Sequence, residues 1–457
     1  MRIGLFSDTY YPTMNGITHV VDVARRELED LGHEVFIVCS DGGILRNKLP
    51  DEDHVLRVPA IQGDVQFALF FPLSLLKKIR ELKLDVITFF TPNQLGLMAV
   101  YAAKKTHAVL VGQHCGDVYE WAEFYPLIVP GEIAASAILP MITDLSREQK
   151  RRLREVYRPR APKFWSDSDT VRMIREKFRT KDSEGENPDE EDEKFSREIV
   201  GASTAMLYSA CDAVIAVSPK SADQLQEIAE RNRVKLNLEI IPTGVNALPQ
   251  PSKSDVQNFR EKYGLNEDDE IILSVGRVSP EKNLEVLLHA FEKISKKNPR
   301  AKLIFVGDHN THFDSKKTYR AKLEKLAAES PAGKKVIFTG RIEREKLGAA
   351  YKIAKVFAFP SLTDTQGLVV QEAAHFGLPI VVCDEFAPAA FQRNKNGFVA
   401  ENNAEDLADK ISQILNDADL ARKFGRKSRA LAAKLTEKAQ TEKLLAVFRE
   451  ILQREYK

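Results

Sequence analysis

The sequence has little of what marks secreted, metal-binding or membrane-spanning proteins. Only four of its 457 residues are cysteines, and these are far apart with no C-x-x-C pair: Cys39, Cys115, Cys211 and Cys383. That spacing argues against a disulfide framework or a zinc site and is typical of reduced thiols in a cytoplasmic protein. No uninterrupted apolar run approaches the roughly 20 residues that a membrane-spanning helix needs, so we expect any membrane contact to be peripheral.

Excess charge, a leader segment and a dinucleotide fingerprint are also missing. Lys and Arg number 67 against 66 Asp and Glu, which gives a net charge of +1, so no overall field favours nucleic acid. The first residues enter an apolar strand at Arg2–Phe6 and leave no room for a signal peptide. No G-x-G-x-x-G follows this strand, which counts against an NAD-linked enzyme. We therefore expect a cytoplasmic protein that does not bind nucleic acid.

Short apolar runs alternate with amphipathic helical stretches in both halves of the chain. The runs Arg2–Phe6, Glu34–Cys39 and Asp85–Phe90 begin this pattern, which pauses in the middle and resumes at Glu270–Val275. The alternation predicts βαβ units with parallel sheets, and the chain is too long for one core. We therefore predict an α/β protein with two doubly wound, Rossmann-like domains and a cleft between them.

Pro242 and Gly244 interrupt the pattern, and we interpret residues 240–246 as the crossing between the two domains. The predicted first domain is 1–246, with a charged insert at about 145–195, and the predicted second domain is 247–435. Within the insert, the acidic run Asp182–Glu193 has the composition of a solvated or disordered loop.

The segment Phe357–Pro379 is the most informative part of the chain. An apolar strand leads into a polar, Gly-containing loop and then a helix, with Asp364 and Glu372 eight positions apart. Such a turn presents backbone N–H groups and the positive end of a helix, which suits a diphosphate. Carboxylates repel phosphate but accept hydrogen bonds from the hydroxyls of a sugar and a ribose. The layout therefore fits a sugar nucleotide; the alternative is an ordinary strand–loop–helix with two surface acids.

This segment resembles the paired-carboxylate signature of retaining glycosyltransferases with two Rossmann-like domains, the GT-B fold, family 4. In that family the first acid holds the donor sugar, the second holds the ribose, and loop amides contact the diphosphate; here these would be the amides of Gln366, Gly367 and Leu368. The family usually has Glu at the first position, whereas this chain has the shorter Asp364. The Asp-Thr-Gln-Gly sequence is similar to the branch that glucosylates diacylglycerol. The resemblance also implies that 436–457 is a helix that returns to the first domain.

A second motif, Val275–Leu284, follows a strand and opens a helix. It places Arg277 and Lys282 at the carboxyl end of a strand, where open α/β sheets bind ligands. These cations can stabilise a leaving diphosphate without a metal. A helix start disfavours cations, so their presence argues for a bound anion rather than for a solvated surface. The stretch resembles the family's phosphate clamp, and we expect neither a metal nor another cofactor.

The same resemblance implicates residues elsewhere in both domains. Gly16, after the first strand, would let the backbone approach a ligand near the donor phosphate. His114 ends a strand where the family places a His beside the transferred sugar; a solvated or capped His is the alternative. We expect His114 to orient or polarise the sugar rather than to act as a base. The family usually has His-Thr here, so the Cys-Gly-Asp that follows leaves the acceptor contacts open, with Asp117 as one candidate. In the second domain, Gly307 resembles a close-approach position, and the nucleobase neighbours would be Arg341 and Ile342.

Two stretches combine cations with apolar residues in a way that favours an anionic membrane surface. Arg147–Trp165 is strongly basic and ends in Phe164-Trp165, and Phe70–Arg80 mixes Phe and Leu with Lys and Arg. The alternative is that both are ordinary solvated helix faces, the first of them paired with the acidic run.

The resemblance carried by these motifs implies a retaining glycosyltransferase that uses a nucleotide sugar as donor, with His114, Arg277, Lys282 and Asp364 at the reacting centre. The expected reaction transfers a hexose from a UDP-linked donor to a membrane glycerolipid such as diacylglycerol, and the resemblance implies that the hexose is glucose. We expect the reaction at the inner face of the plasma membrane. One alternative is a soluble sugar or sugar-phosphate acceptor. Another is a non-catalytic membrane scaffold that binds sugar nucleotides.

Overall fold

The chain folds into two α/β units, each built on a parallel sheet. The first unit comprises Met1–Ile241 with Thr441–Lys457, and the second comprises Pro242–Gln440. The predicted fold class, two doubly wound α/β domains, is confirmed for the architecture of each unit. The computed structural model describes residues 1–13, 16–41, 53–62, 66–68, 73–116, 138–157, 190–308 and 315–455.

The first unit contains a parallel sheet in the order β3-β2-β1-β6-β7-β8-β9 and a small antiparallel β4-β5 pair. The strands are β1 (Arg2–Ser7), β2 (Glu34–Ser40), β3 (Val55–Val58), β4 (Ala60–Gln62), β5 (Gln66–Ala68), β6 (Val86–Phe89), β7 (Val109–His114), β8 (Ala213–Ala216) and β9 (Leu238–Ile240). The helices are α1 (Gly16–Asp30), α2 (Leu73–Glu81), α3 (Gln94–Thr106), α4 (Arg147–Tyr157), α5 (Glu190–Tyr208) and α6 (Pro219–Arg231). Helix α5 begins inside the acidic run, so the end of that run is helical rather than a loop.

Apolar strands buried on both faces explain the parallel sheet of the first unit. Every residue of β6 and β7 is buried, as expected where helices cover both sides of a sheet. A core cluster joins Phe6 and Phe89 of the strands to Leu95 of α3 and Tyr208 of α5. Packing on both faces therefore holds the central strands in place and positions the loops that follow their carboxyl ends.

The second unit has a parallel sheet in the order β12-β11-β10-β13-β14-β15. Its strands are β10 (Glu270–Val275), β11 (Ala301–Val306), β12 (Val336–Phe338), β13 (Ala354–Phe359), β14 (Ile380–Val382) and β15 (Gly397–Val399). Its helices are α7 (Lys253–Lys262), α8 (Leu284–Lys297), α9 (Ser315–Glu329), α10 (Gly348–Ile353), α11 (Leu368–His375), α12 (Ala404–Asn416) and α13 (Ala418–Ala432), and α14 (Glu437–Glu455) begins here and ends in the first unit.

The strand order of the second unit creates a crevice at the carboxyl ends of β10 and β13. The chain leaves β10 toward β11 on one side and reaches β13 on the other, so the loops after these neighbouring strands diverge. Such a topological switch point is where open α/β sheets bind their ligands. Both faces of the sheet are filled, because Leu273 and Phe357 belong to one core cluster and Ile272 and Val356 to another.

Within the described ranges, no helix combines the length and the apolar character that crossing a bilayer requires.

Candidate active site

The loops after β10 and β13 bring Lys282 and Asp364 into direct contact. The Lys282 ammonium lies 2.7 Å from Oδ1 and 2.8 Å from Oδ2 of Asp364, and both side chains are largely shielded from solvent. Lys282 ends a 3-10 turn, Pro280–Lys282, that precedes α8. Two residues that are 82 positions apart in sequence therefore meet at the switch point of the sheet.

Cations keep the Asp364 carboxyl ionised. Burial alone would raise the pKa of Asp364, but the adjacent Lys282 ammonium, Ser361 and the more distant Arg277 together outweigh burial. The pKa therefore lies below its usual value. At neutral pH the site holds a carboxylate that can accept hydrogen bonds from hydroxyl groups beside an ammonium that can bind an anion.

Arg277 stands on the same loop with its side chain 46% exposed. Its guanidinium lies 3.3 Å from Glu281, which also accepts the Ser279 hydroxyl at 2.6 Å. The Glu281 carbonyl in turn accepts the hydroxyl of Thr363 at 3.2 Å from the loop after β13. The two loops are thus tied together, and one small pocket is lined from both sides by residues that include Gly276, Arg277, Lys282, Phe359 and Ser361.

Helix α11 begins four residues after Asp364, and in its first turn the Val370 N–H donates to the Gly367 carbonyl at 2.9 Å. Gly367 precedes the helix at φ 65°, a left-handed conformation that favours glycine. The N–H groups of the first helical turn have no acceptor within the helix. The side chain of Gln366 is buried and turned elsewhere: it accepts from the Thr243 N–H and donates to the Thr243 carbonyl, each at 2.8 Å.

Glu372 is buried in α11 and has a donor on each carboxylate oxygen. The Tyr351 hydroxyl donates to Oε2 at 2.8 Å, and the Arg344 guanidinium bonds Oε1. Tyr351 and Arg344 were missed in the sequence analysis. They lie 21 and 28 residues from Glu372, outside any helical or strand repeat that could have suggested contact.

The other residues of the second unit that were singled out from the sequence have different settings. Gly307 has φ 134°, and a Cβ there would lie 1.9 Å from the carbonyl oxygen of Gly276, so glycine is needed where the ends of β10 and β11 meet. Arg341 is exposed, and Ile342 is partly buried against the core cluster that contains Leu273.

In the first unit, Gly16 is the first residue of α1, and no described atom lies within 4 Å of the position that a Cβ would take. His114 ends β7 and is buried, with Nδ1 3.2 Å from the Tyr208 hydroxyl. Asp117 lies outside the described residues.

A buried carboxyl at the switch point of the first unit was also missed. Asp8, which follows β1, accepts the Thr91 hydroxyl and the N–H of Leu95 at 3.1 Å. Burial raises its pKa to about 6, and these hydrogen bonds offset only part of that rise. The sequence shows one Asp after a strand, which is too common a pattern to mark a buried site.

The two segments expected to lie on a membrane present fewer apolar side chains than the sequence suggested. In α2 the side chains of Leu75, Leu76 and Ile79 are buried in the first unit, so they do not add apolar surface to the cations of this stretch. In α4 the apolar Leu153 and Val156 are also buried. Residues 70–72 and 158–165, including Phe164 and Trp165, lie outside the described residues.

Among the residues that the structure describes, no three His, Cys, Asp or Glu side chains are grouped as ligands of one metal ion.

Comparison with known proteins covers most of the chain. The family model "Glycosyltransferase Family 4" matches residues 14–175, and "Glycosyl transferases group 1" matches 255–431. An alpha-monoglucosyldiacylglycerol synthase of Acholeplasma laidlawii is 25% identical over 89% of this chain and 86% of its own. A synthase of the same name from Streptococcus pneumoniae is 24% identical over 83% of this chain and 70% of its own. A D-inositol 3-phosphate glycosyltransferase of Nocardia farcinica is 26% identical over 65% of this chain and 67% of its own.

Solved structures share the fold over almost the whole chain. Sucrose-phosphate synthase from Thermosynechococcus elongatus has a TM-score of 0.64 at 17% identity and covers 99% of both chains. Anabaena Alr3699/HepE in complex with UDP-glucose has a TM-score of 0.63 at 15% identity and covers 98% of this chain and 100% of its own.

Proposed function

Because this chain is a glycosyltransferase of the GT-B fold and family 4, we propose that it transfers a hexose from a nucleotide sugar to a membrane glycerolipid, with retention at the anomeric carbon. The proposed donor is UDP-glucose and the proposed acceptor is diacylglycerol or a similar lipid. Two relatives named alpha-monoglucosyldiacylglycerol synthases support this acceptor. UDP-glucose is the first donor to test, since HepE, which has the same fold, has been solved with it.

The observation that carries the proposal is the contact of Lys282 with Asp364 beside the first turn of α11. In the proposed reaction the bond between the anomeric carbon and the β-phosphate oxygen breaks, and UDP leaves. Negative charge grows on that oxygen, where Lys282, Arg277 and the amides of Gln366, Gly367 and Leu368 would stabilise it. The acceptor hydroxyl forms the new bond on the same face of the sugar, and its proton passes to the leaving phosphate.

The remaining residues would fix the donor around this centre. Asp364 would accept hydroxyls of the sugar, and Glu372 would accept hydroxyls of the ribose. Arg341 and Ile342 would flank the nucleobase. His114 would orient the sugar, and Gly16 at the start of α1 would approach the donor phosphate. No step requires a metal ion, because the two cations would supply the positive charge.

A soluble acceptor is the second candidate. The relative named D-inositol 3-phosphate glycosyltransferase favours it, as does the burial of apolar residues in α2 and α4. In this case the donor site would work as described, and only the acceptor would differ.

The test is transfer by the full-length protein from radiolabelled UDP-glucose to vesicles that contain diacylglycerol, followed by lipid extraction. We expect label in the lipid phase and an α-linked product by NMR. Lys282→Ala should lower turnover by about 10²–10³-fold, as loss of a group that stabilises developing charge does. Lys355→Ala, an exposed lysine on β13, is the matched control and should keep full activity.

Three results would contradict parts of the proposal. Label confined to the aqueous phase, in a sugar or sugar-phosphate product, would replace the lipid acceptor with the soluble one. A β-linked product would exclude retention. No turnover of any sugar nucleotide, despite binding, would leave the non-catalytic scaffold.

A further inference from the structure

Both oxygens of Glu372 are occupied by protein donors, yet the two donors differ in exposure to solvent. The Glu372 side chain is only 4% exposed, whereas that of Arg344 is 42% exposed. Tyr351 is fully buried. One partner therefore belongs to the core, and the other covers the carboxylate from the solvent side.

Tyr351 is fixed as a donor. Its ring packs in α10 against Phe376 at 5.4 Å and Phe357 at 6.0 Å between centroids. Burial, followed by the adjacent Glu372 carboxylate, raises the pKa of Tyr351 well above its usual value. The hydroxyl thus keeps its proton. It lies 2.8 Å from Oε2 of Glu372 and 3.4 Å from the Val369 carbonyl, so it donates to the nearer Oε2 and orients the carboxylate.

Arg344 has the opposite character. It begins a 3-10 turn, Arg344–Lys346, that precedes α10. Its guanidinium presents N–H groups in a planar fork. Two neighbouring hydroxyls of a ribose would present donors to the same carboxylate, and Arg344 already bonds its Oε1, so the guanidinium and the ribose compete for that oxygen.

We propose that Tyr351 is the positioning residue for ribose recognition by Glu372 and that Arg344 stands in for the ribose hydroxyls until a nucleotide displaces it. The inference rests on the proposed function, because it assigns the two residues to the site where Glu372 would bind the donor. If this inference holds, both Tyr351 and Arg344 affect how strongly the protein prefers a ribose to a 2′,3′-dideoxyribose, and their effects are opposite. Loss of Tyr351 weakens that preference, and loss of Arg344 strengthens it.

The experiment measures by calorimetry the affinities of the full-length protein for UDP and for 2′,3′-dideoxy-UDP, and takes their ratio. Tyr351→Phe should lower this ratio about three- to tenfold, the value of one hydrogen bond. Arg344→Met should raise it by a similar factor. Binding of the dideoxy nucleotide should stay unchanged in both variants, whereas a general loss of structure would weaken both ligands together.

Matched controls come from the same unit. Tyr263→Phe removes a buried hydroxyl that has no hydrogen-bond partner among the described residues. Lys346→Met removes a charge from the same turn as Arg344. The Lys346 ammonium lies 2.7 Å from a carboxylate oxygen of Glu343. Neither should change the ratio.

The outcomes separate this inference from the proposed function. If the wild-type protein binds none of UDP, dideoxy-UDP, ADP and GDP, both the proposed function and this inference are overturned. If the wild-type protein prefers UDP over dideoxy-UDP and Glu372→Gln abolishes that preference, the assignment of Glu372 to the ribose is supported. If the ratio then stays unchanged in both Tyr351→Phe and Arg344→Met, or falls in Arg344→Met, the assignment of the two residues is wrong. If Tyr351→Phe does not fold, Arg344→Met decides alone, because its side chain is half exposed.

Discussion

At the end of β1, Asp8 holds a carboxyl that is protonated more readily in the folded protein than in the unfolded chain. Its pKa rises to about 6 from an ordinary 3.8 because burial penalises the charge. Between these two values the folded state binds more protons, so the free energy of unfolding falls as pH rises. Below the lower value and above the higher one, the contribution of Asp8 no longer changes with pH.

The expected result is that Asp8→Asn stabilises the first unit at pH 7 and not at pH 4. Asparagine can accept from the Leu95 N–H and bond the Thr91 hydroxyl without the charge. The difference in unfolding free energy should grow through this range to about 2–3 kcal/mol, at 1.4 kcal/mol per unit of pKa shift. Urea unfolding of both proteins from pH 4 to 8 measures it, and parallel pH profiles would contradict the assignment.

At the scale of elements, α11 is fastened to residues that follow the chain crossing between the units. Gln371 is completely buried and donates to the Thr243 carbonyl at 3.0 Å, alongside Gln366. His375 contacts the Val245 carbonyl at 2.7 Å. Three side chains from the helix and the loop before it thus hold a short piece of backbone that has no regular secondary structure.

The start of α14 supports the same backbone from the chain's second crossing. The Val245 N–H donates to the Leu435 carbonyl at 2.9 Å, and Asn246 bonds Glu437 at 2.9 Å. A Cβ at Gly244 would lie 2.4 Å from the Thr436 carbonyl oxygen. The loop that carries Gln366 and Gly367 is therefore braced by two chain segments.

Gln371→Leu tests this bracing. The Gln366 amide also donates to Oε1 of Gln371. Leucine keeps the volume but leaves that N–H unpaired in the interior, so we expect a loss of about 1–3 kcal/mol in unfolding free energy. The donor KM should rise while the pH profile is kept, because the loop next to Asp364 is less ordered. The double variant Gln366→Leu/Gln371→Leu should lose less than the sum of the single variants. Additive losses would show that the two side chains act separately.

The sequence pattern predicted the elements better than the contacts between them. Apolar runs located β10 and β13, and the motifs placed Lys282 and Asp364 on loops that a switch point brings together. The side-chain partners of Glu372 could not be predicted, since Tyr351 and Arg344 reach it only through the packing of three separate elements. Gln366 was identified for its amide, whereas its side chain serves the bracing, because a motif does not say which way a side chain turns. The mixed composition of Phe70–Arg80 favoured a membrane contact, but Leu75 and Ile79 of α2 pack in the core of the first unit.

At the scale of the whole molecule, the balance of charge limits how a lipid surface can be reached. A net charge of +1 gives no long-range attraction to an anionic membrane, so binding must depend on a local patch. Helix α4 presents exposed Arg147, Arg151 and Arg154, while its apolar residues face the core. In the described part of α4, electrostatic attraction by the exposed arginines is therefore the interaction that can bring the protein to an anionic membrane.

Reversing these three charges should abolish most vesicle binding. Each basic residue near an anionic surface contributes about 1 kcal/mol, so Arg147→Glu/Arg151→Glu/Arg154→Glu should reduce partition to phosphatidylglycerol vesicles by roughly 10²-fold or more. The wild type should lose binding in 0.5 M salt, roughly where the screening length falls below 5 Å, and should bind neutral vesicles weakly. Sedimentation with vesicles of each composition measures this. The control variant reverses three exposed cations on α13: Arg422, Lys423 and Arg426. Equal losses in both triple variants would mean that total charge, and not α4, drives the attraction; salt-resistant binding would assign it to apolar contacts outside α4.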